Sequence, residues 1–131
     1  MTETQPLMQG KRGLIMGVAN DRSIAWGIAK TLAAHGAELA FTYQADVLER
    51  RVKPLAESLG SNLLLQCDVT DDDSLDETFA ELEKSWNSLD FIVHAIAFSD
   101  KNELTGKYLN TSRSNFSLTM DVSCYSFTAV A

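Results

Sequence analysis

Residues 13–36 of the 131-residue chain read GLIMGVANDRSIAWGIAKTLAAHG and combine a short apolar run, a polar loop and an amphipathic segment. The run that ends at Gly17 predicts a buried β-strand. In the segment that follows, Ile24, Ile28 and Leu32 recur at every fourth residue, which is typical of a helix, and Gly36 is placed to end it. A strand, a loop and a helix in this order begin a β-α-β unit.

The same alternation continues along the rest of the chain. Further strands are predicted at residues 39–43, 63–67 and 91–97, and further helices at residues 45–59, from Ser74 onward, and from about residue 112 to the end. Strands with nearly continuous apolar runs are buried on both faces, and helical connections force neighbouring strands to be parallel. We therefore predict an α/β fold, the first half (β-α-β-α-β-α-β-α) of a Rossmann-like, doubly wound parallel sheet within a single domain.

Two of the predicted helices carry residues that affect where a helix starts or bends. Pro54 lies inside the second predicted helix and should kink it or shift its start. Ser74 and Glu77 match a capping box at the start of the third helix. The acidic run at residues 71–73 precedes that helix, where the helix dipole favours negative charge, so a solvated helix start is favoured over a metal site.

Composition restricts the class of protein. Hydrophobic residues make up 45% of the chain and charged residues 22%, which is ordinary for a globular domain. The net charge of -7 argues against general affinity for nucleic acid or anionic membranes. Residues 1–10 lack the pattern of a signal peptide, and the uncharged stretch at residues 122–131 is too short to cross a bilayer. With two cysteines favouring a reducing compartment, we expect a cytoplasmic protein with neither nucleic-acid nor membrane partners.

The turn after the first strand is the first candidate for chemistry, because doubly wound sheets bind ligands at the carboxyl ends of their strands. Residues 17–27 do not match G-x-G-x-x-G, yet they suit a phosphate. Gly17 permits a tight turn, Ser23 can donate its hydroxyl, and the helix N-terminus presents unpaired N–H groups. Ala25 and Gly27 are small enough to let the helix lie close to the strand and a ligand. The alternative is that Ser23 only caps the helix.

The ends of the second and third strands supply further candidates. At the first of these, a carboxylate normally binds the ribose of NAD and an arginine the 2′-phosphate of NADP. Here the position holds Gln44, which can hydrogen-bond a hydroxyl or the adenine edge, and no basic residue adjoins it, so NADH is favoured over NADPH. Asp68 can accept from the adenine amino group and Val69 can pack on the ring; alternatively, Asp68 caps the next helix.

Other kinds of site find little support in the sequence. His94 lies among apolar residues of the fourth predicted strand, which favours a structural histidine with a satisfied hydrogen bond. The two histidines and two cysteines are dispersed and form no metal-ligand pattern. No Ser-His-Asp or Cys-His arrangement can be argued from the spacing.

Four stretches taken together resemble one family: residues 17–27, 41–44 (FTYQ), 66–69 (QCDV) and 94–98 (HAIAF). They are similar to the bacterial NADH-dependent enoyl-[acyl-carrier-protein] reductases, a divergent branch of the short-chain dehydrogenase/reductase superfamily. The long loop before Ser23, followed by Ile-Ala-x-Gly, is specific to that branch. The resemblance implies an oxidoreductase of fatty-acid biosynthesis that transfers a hydride from NADH to the β-carbon of a trans-2-enoyl thioester on acyl carrier protein.

The resemblance also implies roles for individual residues. Gly17, Ser23 and Ile24 are expected to line the pyrophosphate turn. Gln44, Asp68 and Val69 are expected to bind the adenosine, and Ile96 and Ala97 to lie along the nicotinamide half. Ser99 matches a position that approaches the acyl substrate. Many members of the family have glycine where this chain has Ala97, and the added methyl narrows the space beside the nicotinamide ribose.

One part of the family pattern is missing from these residues. The catalytic pair of the family is a tyrosine followed seven positions later by a lysine. Seven positions beyond Tyr43 and Tyr108 stand an arginine and an asparagine, and the chain ends before that position is reached beyond Tyr125. We therefore expect residues 1–131 to be the NAD-binding half of the enzyme, truncated before its catalytic residues. The alternative is a non-catalytic fragment or module that binds adenine nucleotides.

Members of the family assemble as tetramers through their fourth and fifth helices, so the resemblance implies a homotetramer. The fourth helix has its apolar positions at Phe116, Met120 and Phe127. Its small residues, which would permit close packing against another helix, are Ser123, Ser126 and Ala129.

Overall fold

The computed structural model of the protein describes residues 6–131. The expectation that the N-terminus is not a signal peptide falls in part on residues 1–5 and to that extent lies outside the described residues. The strands are β1 (Arg12–Met16), β2 (Glu38–Tyr43), β3 (Leu64–Gln66) and β4 (Phe91–His94). The helices are α1 (Ile24–Ala34), α2 (Asp46–Ser58), α3 (Asp72–Glu83), α4 (Arg113–Met120) and α5 (Ser126–Val130), with a π turn (Asp121–Tyr125) joining the last two.

The four strands form one parallel sheet in the order β3-β2-β1-β4. The chain moves outward from β1 to β3 and then crosses back to place β4 on the other side of β1. The point where the direction reverses lies between β1 and β4, and ligands bind at this point in doubly wound sheets. The predicted α/β, Rossmann-like fold is confirmed.

Both faces of the sheet are buried, as the apolar strands predicted. Along β1, Leu14 and Met16 point into a core shared with α3 and with the segment from α4 to α5. Ile15 points to the opposite face, where it packs with Phe41 of β2 against α1 and α2. The alternation follows from the two-residue period of a strand. Helices on both faces hold the strand ends in fixed positions, which is what a site at those ends requires.

The boundaries differ from the predictions in informative ways. The predicted shift in the start of α2 is wrong, because the helix begins at Asp46 and continues through Pro54 to Ser58. Pro54 is exposed, so the carbonyl that its missing N–H leaves unpaired can be hydrated. β4 ends at His94, three residues earlier than predicted. The 3₁₀ turns Lys101–Glu103 and Tyr108–Asn110 lie in the loop that follows.

The capping box predicted for α3 is also wrong. Asp71 is the N-cap, and its side chain accepts a hydrogen bond from the Asp73 amide. Ser74 lies within the helix, and its hydroxyl instead accepts from the Asp68 amide at 2.9 Å. The acidic run at residues 71–73 therefore forms the start of α3, as predicted.

The last helical segment buries a different face from the one that its apolar residues predicted. Phe116, Met120 and Phe127 are each about half exposed, whereas Asn115, Val122, Ser126 and Val130 are buried. The small residues also point inward: Ser126 is fully buried, Ser123 bonds to the Phe98 backbone, and Ala129 packs on the core. They therefore give no support to a helix-helix interface with another subunit. Two of the buried residues are polar: Asn115 and Ser126 make hydrogen bonds to the chain after β4 and to the end of β4. A pattern of apolar residues cannot predict that such polar residues are buried.

Candidate functional site

A cleft of about 380 Å³ lies across the carboxyl ends of all four strands. It is lined by Gly17, Val18, Ala19, Thr42, Tyr43, Gln44, Leu48, Cys67, Val69, Thr70, Ala95, Ile96, Ala97, Phe98, Leu118 and Val122. Most of this lining is apolar, and its polar groups lie at the strand ends. A mostly apolar cleft with a few polar groups is the usual form of a small-molecule or cofactor site.

The turn after β1 forms one wall of the cleft. Gly17 has a φ of +113°, a backbone conformation that residues other than glycine rarely adopt. A Cβ at this position would lie 2.1 Å from the Ala95 carbonyl oxygen, so the glycine also permits the turn to approach the chain after β4. Gly27 has nothing within 4 Å of such a Cβ, so it is not needed to bring α1 close to the strand, and its predicted closeness to a ligand stays a prediction. Ala25, by contrast, is buried in the core.

Ser23 organises the same turn. It occupies the N-cap position of α1, as the alternative expected, but its side chain makes no capping hydrogen bond. Its oxygen accepts hydrogen bonds from the amides of Ala19 at 2.9 Å and Asn20 at 3.1 Å. Neither bond uses the hydroxyl proton, which can be donated to a ligand oxygen. Ile24 follows at the first position of α1 and is highly exposed, beside the unpaired N–H groups of the helix start.

Acidic side chains flank the cleft at the end of β2. Tyr43 and Gln44 both line it, and the Gln44 carbonyl accepts from the Gln66 side-chain amide at 3.2 Å. Burial raises the pKa of the Tyr43 phenol, and the charges of Glu49 and Asp46 raise it further. Two carboxylates therefore lie near Tyr43, and they would repel a phosphate bound beside it.

The end of β3 is held by a local network. The Asp68 carboxylate accepts from the Thr70 amide at 3.0 Å and from the Thr70 hydroxyl at 2.7 Å through one oxygen. Asp68 does not cap α3, so that alternative is wrong. The network leaves the second carboxylate oxygen available and presents Val69 to the cleft.

Cys67 lies buried in the wall of the cleft and is not activated. Burial raises the pKa of its thiol above the ordinary 9.0, and a hydrogen bond with Thr78 offsets part of that rise. A thiol becomes nucleophilic only as the thiolate, so Cys67 is suited to packing rather than to covalent chemistry. Cys124 is exposed, and both cysteines are free.

We expect a thiol-specific reagent at pH 8 to label Cys124 quickly in the native chain and Cys67 only slowly. A raised pKa in the folded state also means that Cys67 contributes stability below the unfolded pKa and loses it as the pH rises through the folded pKa. Absorbance of the released chromophore measures the labelling, with the chain in denaturant as the two-thiol control. Two equivalents reacting at one fast rate in the native chain would contradict this.

His94, at the end of β4, is a structural histidine, as predicted. Its Nε2 lies 2.7 Å from the Ser126 oxygen, and its ring meets Phe127 edge to face with centroids 5.6 Å apart. The Ser126 hydroxyl donates to the Val122 carbonyl at 2.6 Å, so the imidazole must donate to Ser126. The pair ties β4 to the last helical segment beneath the cleft.

Five of the nine predicted site residues line the cleft: Gly17, Gln44, Val69, Ile96 and Ala97. The other four lie next to residues that do: Ser23 binds the Ala19 amide, Ile24 follows Ser23, Asp68 precedes Val69, and Ser99 follows Phe98. The sequence reasoning did not select Leu118 and Val122, which close the cleft from the last helical segment. The sequence did not indicate these two residues because the apolar pattern of that segment predicted that a different face of the helix, the one that is exposed, would be buried.

Residues 6–131 offer neither a metal site nor a membrane-spanning helix. No three His, Cys, Asp or Glu side chains in this range lie close enough together to hold a metal ion. Of the helices that the structure describes, none is long and apolar enough to span a membrane. The cleft is therefore the strongest candidate site in this part of the chain.

Comparison with known proteins places the chain in a family. The family model described as enoyl-(acyl carrier protein) reductase matches residues 17–131. Enoyl-[acyl-carrier-protein] reductase [NADH] 1 of Rhizobium meliloti is 63% identical over 100% of this chain and 48% of the relative. The corresponding FabI protein of Rickettsia bellii is 51% identical over 98% of this chain and 49% of its own length.

Solved structures give the same result. The crystal structure of FabI from Candidatus Liberibacter asiaticus matches with a TM-score of 0.95 and 56% identity, over 97% of this chain and 49% of that one. The enoyl-(acyl-carrier-protein) reductase of Anaplasma phagocytophilum, solved in complex with NAD, has a TM-score of 0.93 and 56% identity, over 99% and 50%. The chain spans about half the length of the curated relatives that it matches. It belongs to the enoyl-(acyl carrier protein) reductase family.

Proposed function

We propose that this chain is the NAD-binding half of an NADH-dependent enoyl-[acyl-carrier-protein] reductase of fatty-acid biosynthesis. The observation that carries the proposal is the cleft across the carboxyl ends of the four strands, between the turn at Gly17 and the segment after β4. Relatives named as NADH-dependent enoyl-[acyl-carrier-protein] reductases support the activity of the whole protein. Residues 1–131 contain no tyrosine followed seven positions later by a lysine, so the proposal assigns them cofactor binding and not the catalytic pair.

The start of α1 suits the pyrophosphate of the cofactor. Gly17 brings the turn close to the opposite wall, and the Ser23 hydroxyl proton is left to donate to a phosphate oxygen. The unpaired N–H groups beside Ile24 and the positive end of the helix dipole add to the attraction for negative charge. These residues therefore fit the charged centre of a dinucleotide.

The ends of β2 and β3 suit the adenosine half. Gln44 provides amide groups for the ribose hydroxyls or the adenine edge, Val69 an apolar surface for the ring, and Asp68 an unused carboxylate oxygen for the adenine amino group. The carboxylates of Glu49 and Asp46 lie near Tyr43, which lines this end of the cleft. A 2′-phosphate would meet these charges, so the chain is expected to bind NADH in preference to NADPH.

The segment after β4 suits the nicotinamide half. Ile96 and Ala97 line the cleft there, and Leu118 and Val122 oppose them with apolar side chains that exclude water. When bound, NADH supplies the hydride that passes to the β-carbon of the enoyl thioester. Ser99 follows Phe98, which lines the cleft, and is the residue that we propose approaches the acyl substrate on its carrier protein.

Binding of NADH by the purified 131-residue chain tests the proposal. Intrinsic fluorescence titrations with NADH and NADPH are expected to show binding of both, with NADH tighter. NAD⁺ should compete, and an enoyl thioester should not drive NADH oxidation because the catalytic pair is missing. A chain that binds neither dinucleotide would overturn the proposal, and tighter binding of NADPH would overturn its choice of cofactor.

A non-catalytic nucleotide-binding module is the second candidate, because the sequence contains no tyrosine followed seven residues later by lysine. The intact mass of the protein purified from its source separates the two candidates. A mass near twice 14.4 kDa agrees with the enzyme, and a mass of 14.4 kDa with the module. In the larger case, NADH oxidation driven by an enoyl thioester is the direct test.

We expect Ser23→Ala to weaken NADH binding by about tenfold, because it removes both a phosphate donor and the acceptor that holds the Ala19 and Asn20 amides. Fluorescence titration of NADH measures the effect. Ser117→Ala is the matched control, since Ser117 is an exposed serine on α4, away from the turn. Equal affinities of the two variants would contradict the role of Ser23.

Assembly and location follow from the same proposal. The exposed apolar side chains of the last helical segment, Phe116, Met120, Tyr125 and Phe127, support burial against other subunits in a homotetramer. Two free cysteines support a cytoplasmic location. Sedimentation of the intact enzyme tests the tetramer.

A further inference from the structure

The chain after β4 is held by side chains rather than by a neighbouring strand. The Ala95 amide donates to the Met16 carbonyl at 2.9 Å, which continues the pairing of β4 with β1 for one residue. Beyond it, the backbone at Phe98 and Asp100 bonds to side chains of α4 and the π turn. The position of this wall of the cleft therefore depends on those side chains.

Ser123, in the π turn, makes two of these attachments. Its oxygen accepts from the Phe98 amide at 3.0 Å, and its hydroxyl donates to the Phe98 carbonyl at 3.2 Å. One hydroxyl thus bonds to both the backbone N–H and the backbone carbonyl of Phe98. Phe98 lines the cleft and lies between Ala97 and Ser99. Fixing its backbone fixes the direction of the residues on either side.

The π turn explains how Ser123 reaches this peptide. An α-helix advances by about 100° per residue, so Asn115 and Ser123, eight positions apart, would point about 80° apart on a regular helix. The wider π turn rotates the residues after Met120 back relative to α4. Asn115 then bonds to Ser99 and Asp100 while Ser123 bonds to Phe98, on the same stretch of chain.

We propose that Ser123 is a positioning residue that holds the Phe98 peptide and so sets the nicotinamide wall of the cleft. This inference rests on the proposed NADH site and assigns Ser123 to one half of it. The adenosine half is built on β2 and β3, whereas the hydrogen bonds of the Ser123 side chain go to Phe98, after β4. Loss of the hydroxyl should therefore weaken binding of the nicotinamide half selectively.

Titrations of the 131-residue chain with NADH and with ADP-ribose, which lacks the nicotinamide, test the proposal. Ser123→Ala should weaken NADH binding by about five- to tenfold and leave ADP-ribose binding within about twofold. Ser117→Ala, the control for loss of a serine hydroxyl from this helical segment, should change neither. If Ser123→Ala fails to fold, Ser123→Cys keeps the size of the side chain with a weaker donor and should show the same selective loss.

The outcomes separate this inference from the proposed function. If the unmodified chain binds ADP-ribose and NADH, and the Ser123 variant loses affinity for both equally or for neither, the positioning role is overturned while the NADH site stands. If the unmodified chain binds neither ligand, the proposed function fails and the inference fails with it.

Discussion

Replacing Gly17 by alanine is expected to abolish NADH binding and to lower the free energy of unfolding by about 3 kcal/mol or more. Two independent costs add at this position. The φ of +113° lies where L side chains are strained, and the new Cβ would lie 2.1 Å from the Ala95 carbonyl oxygen. Because the obstacle is backbone, no side-chain rotation can relieve it. The turn must move, and the cleft loses the wall that Gly17 and Ala95 form together.

Gly60→Ala is the matched control, because it introduces the backbone strain of a positive φ without the steric clash of the new Cβ. Gly60 also has a positive φ, +78°, but nothing lies within 4 Å of the Cβ position. Its replacement should cost only about 1–2 kcal/mol and leave NADH binding intact. Urea denaturation and NADH titration of both variants measure the difference. Equal losses of stability, with binding retained in Gly17→Ala, would show that the turn does not approach Ala95 as closely as the structure has it.

The sheet and its first three helices could be predicted because the signals that specify them are repeated. Each strand is apolar over several residues, and each helix carries an apolar residue at nearly every turn, so single exceptions such as Pro54 do not change the outcome. The candidate site followed from the fold, because parallel strands bring Gly17, Gln44, Val69 and Ile96 to one edge even though they are far apart in sequence.

Hydrogen bonds of single side chains could not be predicted in the same way. Ser74 matched a capping box, yet its hydroxyl oxygen accepts a hydrogen bond from the Asp68 amide, and Asp71 caps the helix instead. Ser23 occupies the N-cap position of α1, but its side-chain oxygen accepts hydrogen bonds from the amides of the preceding turn. In each case several partners lie within reach along the chain, and the tertiary positions of the strand ends decide among them.

The last helical segment shows the same competition on a larger scale. Its aromatic residues predicted one buried face, but the chain after β4 leaves backbone groups without strand partners, and these need polar side chains. Asn115 is buried for that reason. Its carboxamide accepts from the Asp100 amide at 3.0 Å and donates to the Ser99 hydroxyl at 3.1 Å. Phe116, its neighbour, remains half exposed.

Asn115→Leu is therefore expected to destabilise the chain by about 2–4 kcal/mol, although it places an apolar residue of similar size at a buried position. The substitution leaves the Asp100 amide without its acceptor in a place that water reaches poorly. Phe116→Ala, the control, removes a half-exposed ring and should cost only about 1 kcal/mol. Urea denaturation of both variants gives the comparison. Since hydrophobicity alone predicts the reverse order, a more stable Asn115→Leu and a strongly destabilised Phe116→Ala would mean that the helical segment turns its aromatic face inward, and that the loop after β4 is held by other groups.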